Sequence, residues 1–145
     1  FGWLHCMSAH PVDWEGIRFP SAEHLFQWLR FSAYPEIQEE IFKQKSPLLA
    51  KWVAARHKEK LGRNQWWDQH EDDIERMRRV LRAKIAQHPD LAAKLKATGQ
   101  AVLVEDCTYR DRESARFWGA VKAFGSWHGS NVLGCLWMEL RDTLP

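Results

Sequence analysis

The residues best placed to do chemistry follow Ser21. Glu23, Gln27 and Arg30 recur at positions i, i+4 and i+7, so they would share one face of a helix. A carboxylate in the first turn of a helix lies near the positive end of the helix dipole, which favours its ionised form. Such a carboxylate can activate water or stand beside a developing oxocarbenium ion. Spacing alone favours a simpler interpretation, in which Glu23 is a first-turn residue on a solvated face.

A second candidate is the tryptophan-rich run at residues 63–68, Arg-Asn-Gln-Trp-Trp-Asp. A tryptophan such as Trp67, lying in a loop, can stack on a base while Arg63 meets a phosphate. The pattern by itself favours another interpretation, in which the tryptophans form a hydrophobic staple at the start of the following helix.

A third candidate combines Phe117-Trp118-Gly119 with the glycine-rich stretch 125–134. Glycines let the backbone approach a ligand closely, and the helix that follows offers free N–H groups to an anion. No Gly-Lys-Ser/Thr follows, so the stretch is not a P-loop, and its spacing does not fit a dinucleotide fingerprint. It fits equally a flexible loop in which Asn131 caps the next helix.

Metal and thiol chemistry find less support. His5-Cys6 and His24 lack the spacing of zinc ligands, so we predict neither a metal nor a cofactor. A Cys–His nucleophile remains open, although nothing selects one of the three cysteines. Cys6, Cys107 and Cys135 are odd in number and far apart, which predicts reduced thiols in a cytoplasmic protein.

Local signals define the elements that would position Glu23. Alternating apolar residues over 12–19 surround Glu15-Gly16 and predict a hairpin. Pro20-Ser21 ends this hairpin, and Ser21 is a good N-cap for a helix over about 22–33. Two more helices are predicted to begin at Pro35 and at Ser46-Pro47, because proline suits the first helical position.

The second half of the chain is also mostly helical by pattern. Asp68 to Glu71 has the form of a capping box, and the apolar residues after it recur at helical spacing, which predicts a helix over about 69–87. The predicted buried stripe of this helix consists of Ile74, Met77, Leu81 and Ile85. Further elements are a helix from Pro89 to Gly99, a strand over 101–105 and a last helix from near Asn131. The sum is an α+β fold, a mostly helical single domain over residues 1–145 with a small antiparallel sheet.

Composition narrows the class of protein. The chain has 145 residues, enough for one core, and its 45% hydrophobic and 28% charged residues are typical of a soluble domain. A net charge of +2 is too small for bulk electrostatics to hold nucleic acid. No apolar run approaches a membrane span, and the first residues lack the regions of a signal peptide, so we predict a cytoplasmic protein with no membrane partner. Nine tryptophans are enough to provide stacking surfaces for a heterocycle.

Taken in order along the chain, the motifs resemble those of the NADAR family, also called YbiA-like. The matching segments are Phe1-Gly2-Trp3-Leu4, Pro20-Ser21-Ala22-Glu23-His24, Ser46-Pro47-Leu48-Leu49-Ala50-Lys51, Trp67 with Met77, Ala97-Thr98-Gly99, Phe117-Trp118-Gly119, Asn131-Val132-Leu133-Gly134 and Met138-Glu139-Leu140-Arg141. They cover nearly the whole chain in the family's order, which makes the resemblance specific. It implies a YbiA-like fold.

The resemblance implies an N-glycosidase that needs no metal. Members similar to this chain either remove ADP-ribose from guanine bases, which reverses a toxin, or cleave phosphoribosylamino intermediates of the riboflavin pathway. The implied partners are therefore an ADP-ribose-containing nucleotide or ADP-ribosylated DNA, with functional pairing to an ADP-ribosyltransferase toxin.

The resemblance also implies roles for individual residues. Glu23 is the implied catalytic carboxylate, and Asp111 corresponds loosely to a family Asp that precedes Phe-Trp-Gly. Trp67 and Trp118 would frame the base and ribose. The remaining implied substrate-binding residues are Gly2, Trp3, Arg30, Lys51, Arg63, Gly119, Asn131 and Gly134.

Two departures from the family pattern bear on substrate and activity. His5-Cys6 stands where the family has Ser-Asn, and this leaves open a module that binds ADP-ribose or NAD without turnover. Ala120 follows Trp118-Gly119, where riboflavin-type members often carry acidic or glycine-rich sequence. Together with residues 1–4 and 34–38, Ala120 favours the ADP-ribose branch.

Overall fold

The first hairpin forms where the sequence predicts it. The computed structural model describes residues 1–62 and 71–145. Strands β1 (Val12–Trp14) and β2 (Ile17–Phe19) pair antiparallel. Glu15 and Gly16 join them with positive φ angles of 49° and 80°, as a two-residue turn between right-twisted strands requires. Val12 lies opposite Phe19, and both side chains are fully buried.

Helix α1 (Ala22–Arg30) crosses the interior and is buried along most of its length. The Ser21 hydroxyl accepts a hydrogen bond from the His24 N–H at 3.3 Å, which confirms Ser21 as the N-cap. The His24 ring bonds to Ser21 Oγ at 2.8 Å and to the Gln44 carbonyl at 3.0 Å. The helix ends about three residues earlier than predicted, because Phe31 leaves the helical conformation.

Two helices that begin with a proline pack against α1. Helix α2 (Pro35–Phe42) and helix α3 (Pro47–Arg56) begin at the predicted prolines, and the Ser46 hydroxyl caps α3 by accepting from the Leu49 N–H. They enclose a small apolar core with the end of α1, made of Phe31, Ile37, Ile41, Ala50, Val53 and Ala54.

The larger core lies between α1 and the helices of the second half, α4 (Glu71–Gln87), α5 (Pro89–Ala97) and α7 (Val132–Thr143). Of the predicted stripe on α4, Met77, Leu81 and Ile85 are buried, and Ile74 packs at the edge of the core. The predicted capping box of this helix lies partly outside the described residues. No helix in the described ranges is long and apolar enough to cross a membrane.

The strand predicted over 101–105 is wrong. This segment is extended but belongs to no sheet, apart from an isolated bridge between Asp106 and Ala120. Its partner is a side chain, because Asn131 donates Nδ2–H to the Leu103 carbonyl at 2.9 Å and accepts from the Glu105 N–H at 3.0 Å. An amide side chain thus satisfies the backbone groups that a neighbouring strand would otherwise satisfy.

Two elements near the C-terminal end were not predicted. They are helix α6 (Glu113–Trp118) and a second antiparallel hairpin of β3 (Val121–Ala123) and β4 (Ser126–His128). The hairpin occupies part of the stretch expected to be a glycine-rich loop. The described residues therefore form a mostly helical α+β fold, as predicted, with two small antiparallel sheets instead of one.

A buried lysine fixes the N-terminal segment against the core. Lys84 of α4 donates to the carbonyls of Trp3 and His5, at 2.8 and 3.1 Å, and to the Ser8 hydroxyl at 2.7 Å. Burial lowers the pKa of Lys84 to about 8. The Trp137 indole donates to the Leu4 carbonyl from the other side. These bonds hold residues 3–8 beside the start of α1.

Candidate functional site

A cavity lies at the N-terminal end of α1. Its walls come from the N-terminal segment 5–7, the inner face of α1, Lys51 on α3, Met77 on α4 and the stretch 105–118. It therefore gathers side chains from both ends of the chain, with Glu23 and Trp118 among those that line it.

Glu23 is only 7% exposed, so its side chain faces the cavity instead of bulk water. Gln27 donates Nε2–H to Glu23 Oε1 at 2.8 Å, and the Glu23 N–H donates to the Cys6 carbonyl at 3.0 Å. Within the described part of the chain, Oε2 of Glu23 accepts no hydrogen bond. One carboxylate oxygen is therefore held in place and the other is available to a ligand or a water molecule.

A line of buried polar groups continues from Gln27 along α1. Arg30 donates from Nη1 to Gln27 Oε1 at 3.2 Å, which fixes the Gln27 amide with its N–H₂ group towards Glu23. Arg30 Nη2 lies 3.4 Å from Asp73 Oδ2, and Arg76 Nη1 donates to Asp73 Oδ1 at 2.8 Å. Glu23, Gln27 and Arg30 share one helix face as predicted, but this face is buried and not solvated.

Aromatic rings form the apolar wall of the cavity. Trp118 packs edge to face on Phe26, with ring centroids 5.7 Å apart, and on Phe117 at 5.1 Å. The Arg30 guanidinium lies 5.6 Å from the centroid of the Phe26 ring. Trp118 is half-buried, so part of the indole is available to a flat ligand.

A second carboxylate that sequence reasoning missed, that of Glu105, lines the same cavity. His5 Nε2 lies 3.5 Å, and Arg110 Nη2 3.3 Å, from Glu105 Oε1. Burial alone would raise the pKa of Glu105, but the hydrogen bonds of His5 and Arg110 and the positive charge of Arg110 outweigh it and hold this pKa below its ordinary value. The acidic residue that ends the apolar run 101–104 was the signal available in the sequence.

The hydrogen bonds of His5 define its tautomer. The Met7 N–H donates to His5 Nδ1 at 3.1 Å, so Nδ1 is an acceptor and carries no proton in this arrangement. Nε2 therefore carries the proton and presents it towards Glu105. His5, which stands where the family resemblance expects Ser, therefore forms part of the polar wall of the cavity.

The thiols of the cavity are not activated. Burial, followed by the charge of Glu23, raises the pKa of Cys6 to about 12, and Cys6 Sγ contacts Met77 Sδ at 3.7 Å. Burial also raises the pKa of Cys107. A thiolate is the reactive form of cysteine, so neither thiol suits a nucleophilic role at neutral pH. Cys135 is exposed on α7 and does not line the cavity.

Besides Arg30, three cations lie along the cavity wall: Lys51, Arg110 and Arg112. Arg110 is paired with Glu105, whereas Lys51 forms no hydrogen bond or ion pair with residues 1–62 or 71–145. No cluster of three His, Cys, Asp or Glu side chains that could hold a metal ion occurs in the described ranges.

The structure brings four of the predicted site residues to the cavity, namely Glu23, Arg30, Lys51 and Trp118. Arg63 and Trp67 lie outside the described residues. Asp111 does not line the cavity, because its carboxylate is exposed and pairs with Arg116 at 2.6 Å. Its catalytic role stays a prediction without a geometric basis.

Gly119, Gly134 and Asn131 were also predicted to bind substrate, but they do not line the cavity. They pack against the extended segment that carries Glu105 to it. A Cβ atom on Gly134 would lie 2.2 Å from the Leu103 carbonyl, and one on Gly119 would lie 2.2 Å from the Glu105 carbonyl. These glycines allow close packing of α6 and α7 on the extended segment. The Asn131 amide is occupied by that same segment.

Gly2 and Trp3, also predicted to bind substrate, do not line the cavity either. Trp3 is half-buried, packs against the larger core, and offers its carbonyl to Lys84. Gly2 and Trp3 therefore belong to the N-terminal segment whose His5 and Cys6 line the cavity.

The chain belongs to the NADAR family, because the model of the NADAR domain matches residues 3–145. The resemblance inferred from the motifs is thereby confirmed.

Several named proteins are similar to this chain. N-glycosidase YbiA of Escherichia coli strain K12 is 35% identical over 144 residues, which are 99% of this chain and 82% of that protein. The riboflavin biosynthesis protein VVA0006 of Vibrio vulnificus strain YJ016 is 32% identical over 129 residues, which are 89% of this chain but only 32% of that protein. The NMR structure of E. coli YbiA superposes with a TM-score of 0.75 at 34% identity, covering 99% of this chain and 77% of that chain.

Proposed function

We propose that this protein is an N-glycosidase that hydrolyses a ribose–nitrogen bond in the cavity at the start of α1. The observation that carries the proposal is the buried Glu23 carboxylate, which Gln27 holds by one oxygen while the other faces the cavity beside Trp118. Relatives that are named N-glycosidases support it.

The chemistry requires an acceptor for one proton and an environment suited to positive charge. As the C1′–N bond breaks, its electron pair goes to the nitrogen and the sugar becomes cation-like; the departing nitrogen then takes up the proton that Glu23 has removed from the attacking water. Glu23 takes a proton from the water whose oxygen bonds to C1′. A positioned base contributes on the order of 10²–10⁴ in rate. The carboxylates of Glu23 and Glu105 both favour positive charge on the sugar.

The cations and the indole support a substrate that carries phosphate and a flat base. Lys51, Arg110 and Arg112 surround the cavity that Glu23 and Trp118 line, and a guanidinium pairs well with phosphate oxygens. The substrate that we propose is ADP-ribose attached to guanine, either in DNA or as a nucleoside, whose two phosphates would use more than one of these cations. Pairing with an ADP-ribosyltransferase toxin and a cytoplasmic location remain predictions.

A second candidate substrate is a ribosylamino-pyrimidine phosphate of the riboflavin pathway. The name of the Vibrio relative favours it, although that relative extends far beyond the matched region. This substrate carries one phosphate and would leave part of the cationic wall unused.

A direct comparison of substrates tests the proposal. The protein is incubated with an oligonucleotide that contains ADP-ribosylated guanine, and separately with the ribosylamino-pyrimidine phosphate, and released products are separated by chromatography. We expect free ADP-ribose and intact guanine from the first. Release from the second alone would shift the protein to the riboflavin-type activity. Tight binding of ADP-ribose without release from either would show a binding module and contradict the proposed hydrolysis.

A further inference from the structure

The Glu105 carboxylate is held by one oxygen and open at the other. Arg110 Nη2 donates to Glu105 Oε1 at 3.3 Å, and His5 Nε2 lies 3.5 Å from the same oxygen. Among the residues that the structure describes, none donates to Oε2, and the side chain is 20% exposed and lines the cavity. One oxygen therefore meets two protein donors, and the other is available to a donor on a ligand.

The backbone that carries this carboxylate is fixed on both sides. The Glu105 N–H donates to Asn131 Oδ1 at 3.0 Å, and its carbonyl accepts from the Ala120 N–H at 2.9 Å. A rigid backbone and a fixed side chain suit a group that must meet one particular atom of a ligand.

His5 is fixed in the same way on its own segment. Its carbonyl accepts from Lys84 Nζ at 3.1 Å, and its N–H donates to the Gly2 carbonyl at 3.1 Å. The Met7 N–H occupies Nδ1, so the ring presents Nε2–H towards Glu105. This arrangement directs a donor at Oε1 and leaves Oε2 to the cavity.

The carboxylates of Glu23 and Glu105 lie near the same thiol. After the larger effect of burial, the charges of both carboxylates raise the pKa of Cys6, which lines the cavity with them. Under the proposed function Glu23 acts at C1′, and C2′ is bonded directly to C1′. The 2′-hydroxyl is therefore the sugar donor closest to the reacting carbon, and a second carboxylate in the same cavity is suited to accept from it.

We propose that Glu105 Oε2 accepts a hydrogen bond from the 2′-hydroxyl of the ribose that is cleaved, and that His5 positions Glu105 for this contact. The inference rests on the proposed function and deepens it, and it applies to both candidate substrates because each presents a ribose. In glycosidases, hydrogen bonds to this hydroxyl strengthen in the cation-like transition state. In ADP-ribosylated DNA the contact would also distinguish the added ribose from the deoxyribose of the strand.

Two sugar phosphates that differ in one hydroxyl test the contact without turnover. NMR titration measures the affinities for ribose 5-phosphate and 2-deoxyribose 5-phosphate. We expect the wild type to bind ribose 5-phosphate roughly tenfold more tightly, the effect of one hydrogen bond to a charged acceptor. Glu105→Gln should lose this preference, because its amide is neutral and a weaker acceptor.

The control is Asp106→Asn, which removes the neighbouring carboxylate. Asp106 accepts hydrogen bonds from Thr108 and does not line the cavity, so this variant should keep the preference. Equal affinity of the wild type for the two sugars, or the same preference in Glu105→Gln as in the wild type, overturns the contact. Failure to hydrolyse either candidate substrate would contradict the proposed function but would leave the preference between the sugars unchanged.

Two variants of His5 test its positioning role. His5→Phe keeps a ring without a donor and should lose most of the preference for ribose 5-phosphate. His5→Gln restores a donor and should recover part of it. Thermal unfolding is measured beside binding, because a purely structural role would lower stability and leave the preference intact. The same preference in His5→Phe and the wild type overturns the role of His5.

Discussion

At the scale of single residues, the position of Glu23 depends on Gln27. The Gln27 amide donates to Glu23 and accepts from Arg30, so it links the carboxylate to the buried ion pair of Arg30 and Asp73. A glutamine at this position orients an anion on one side and a cation on the other without adding charge of its own.

We expect Gln27→Leu to lower kcat at least tenfold with a smaller change in KM. Losing both bonds frees the Glu23 carboxylate to rotate and removes two buried hydrogen bonds, which costs about 1–3 kcal/mol of stability. The measurements are steady-state kinetics and thermal unfolding.

A matched control separates positioning of Glu23 from general destabilisation. Gln38→Leu removes a hydrogen bond to the Trp28 carbonyl, and neither of these residues lines the cavity. It should lower stability without lowering kcat. Equal losses of kcat in the two variants would contradict a specific role for Gln27.

At the scale of elements, the sequence was sufficient to predict the features that depend only on residues close together along the chain. The Glu15-Gly16 turn, the N-cap Ser21 and the helix start at Ser46-Pro47 depend on residues within four positions of each other, and all three were predicted. The extended segment 101–105 has apolar residues typical of a strand, but its partner is the side chain of Asn131, which is far along the chain. Nothing in the segment itself indicates that partner.

The second hairpin was missed for a related reason. Its turn places Phe124 at a positive φ angle of 50°, a conformation that bulky residues rarely adopt, so the sequence gives no ordinary turn signal there. The residues of the cavity likewise divide into those on predictable elements and those on irregular ones. Glu23 follows from its capped helix, whereas Glu105, Arg110 and Arg112 come from irregular or short elements and could not be assigned to a cavity beforehand.

Asn131 gives a prediction that distinguishes a structural from a ligand-binding role. In Asn131→Ala the Leu103 carbonyl and the Glu105 N–H lose their partner, so we expect a loss of about 2–4 kcal/mol in the free energy of unfolding. Denaturant titration measures this loss. Unchanged stability combined with a higher KM would instead support the role in phosphate binding that the family resemblance implies.

At the scale of the whole molecule, the cavity exists because distant parts of the chain are fixed to one core. Lys84 and Trp137 hold the N-terminal segment, and Asn131 holds the segment with Glu105. The family match over residues 3–145 agrees with a site that needs nearly the full length of the chain.

The buried Lys84 predicts a particular dependence of stability on pH. Its pKa is lowered from 10.5 to about 8 by burial, so between these pH values the unfolded chain binds more protons than the folded one. The free energy of unfolding contributed by Lys84 should therefore rise across pH 8–10.5, by up to about 3 kcal/mol, and stay constant below pH 8.

Variants that do not titrate in this range isolate the contribution of Lys84. Lys84→Met and Lys84→Arg should both lose the rise across this window when their unfolding free energies are compared with those of the wild type. Lys84→Met should also be less stable throughout, because the Trp3 and His5 carbonyls lose their donor. The same slope in wild type and both variants would contradict the assigned pKa.

The central claim is that the Glu23 carboxylate performs the hydrolysis, and Glu23→Gln tests it most directly. The amide has nearly the same shape but cannot take a proton from water. We expect the variant to unfold at a temperature close to that of the wild type and to bind ADP-ribose with similar affinity. Its rate of release of ADP-ribose from the guanine oligonucleotide should fall on the order of 10²–10⁴-fold. A folded Glu23→Gln variant that releases ADP-ribose at the wild-type rate would contradict the account.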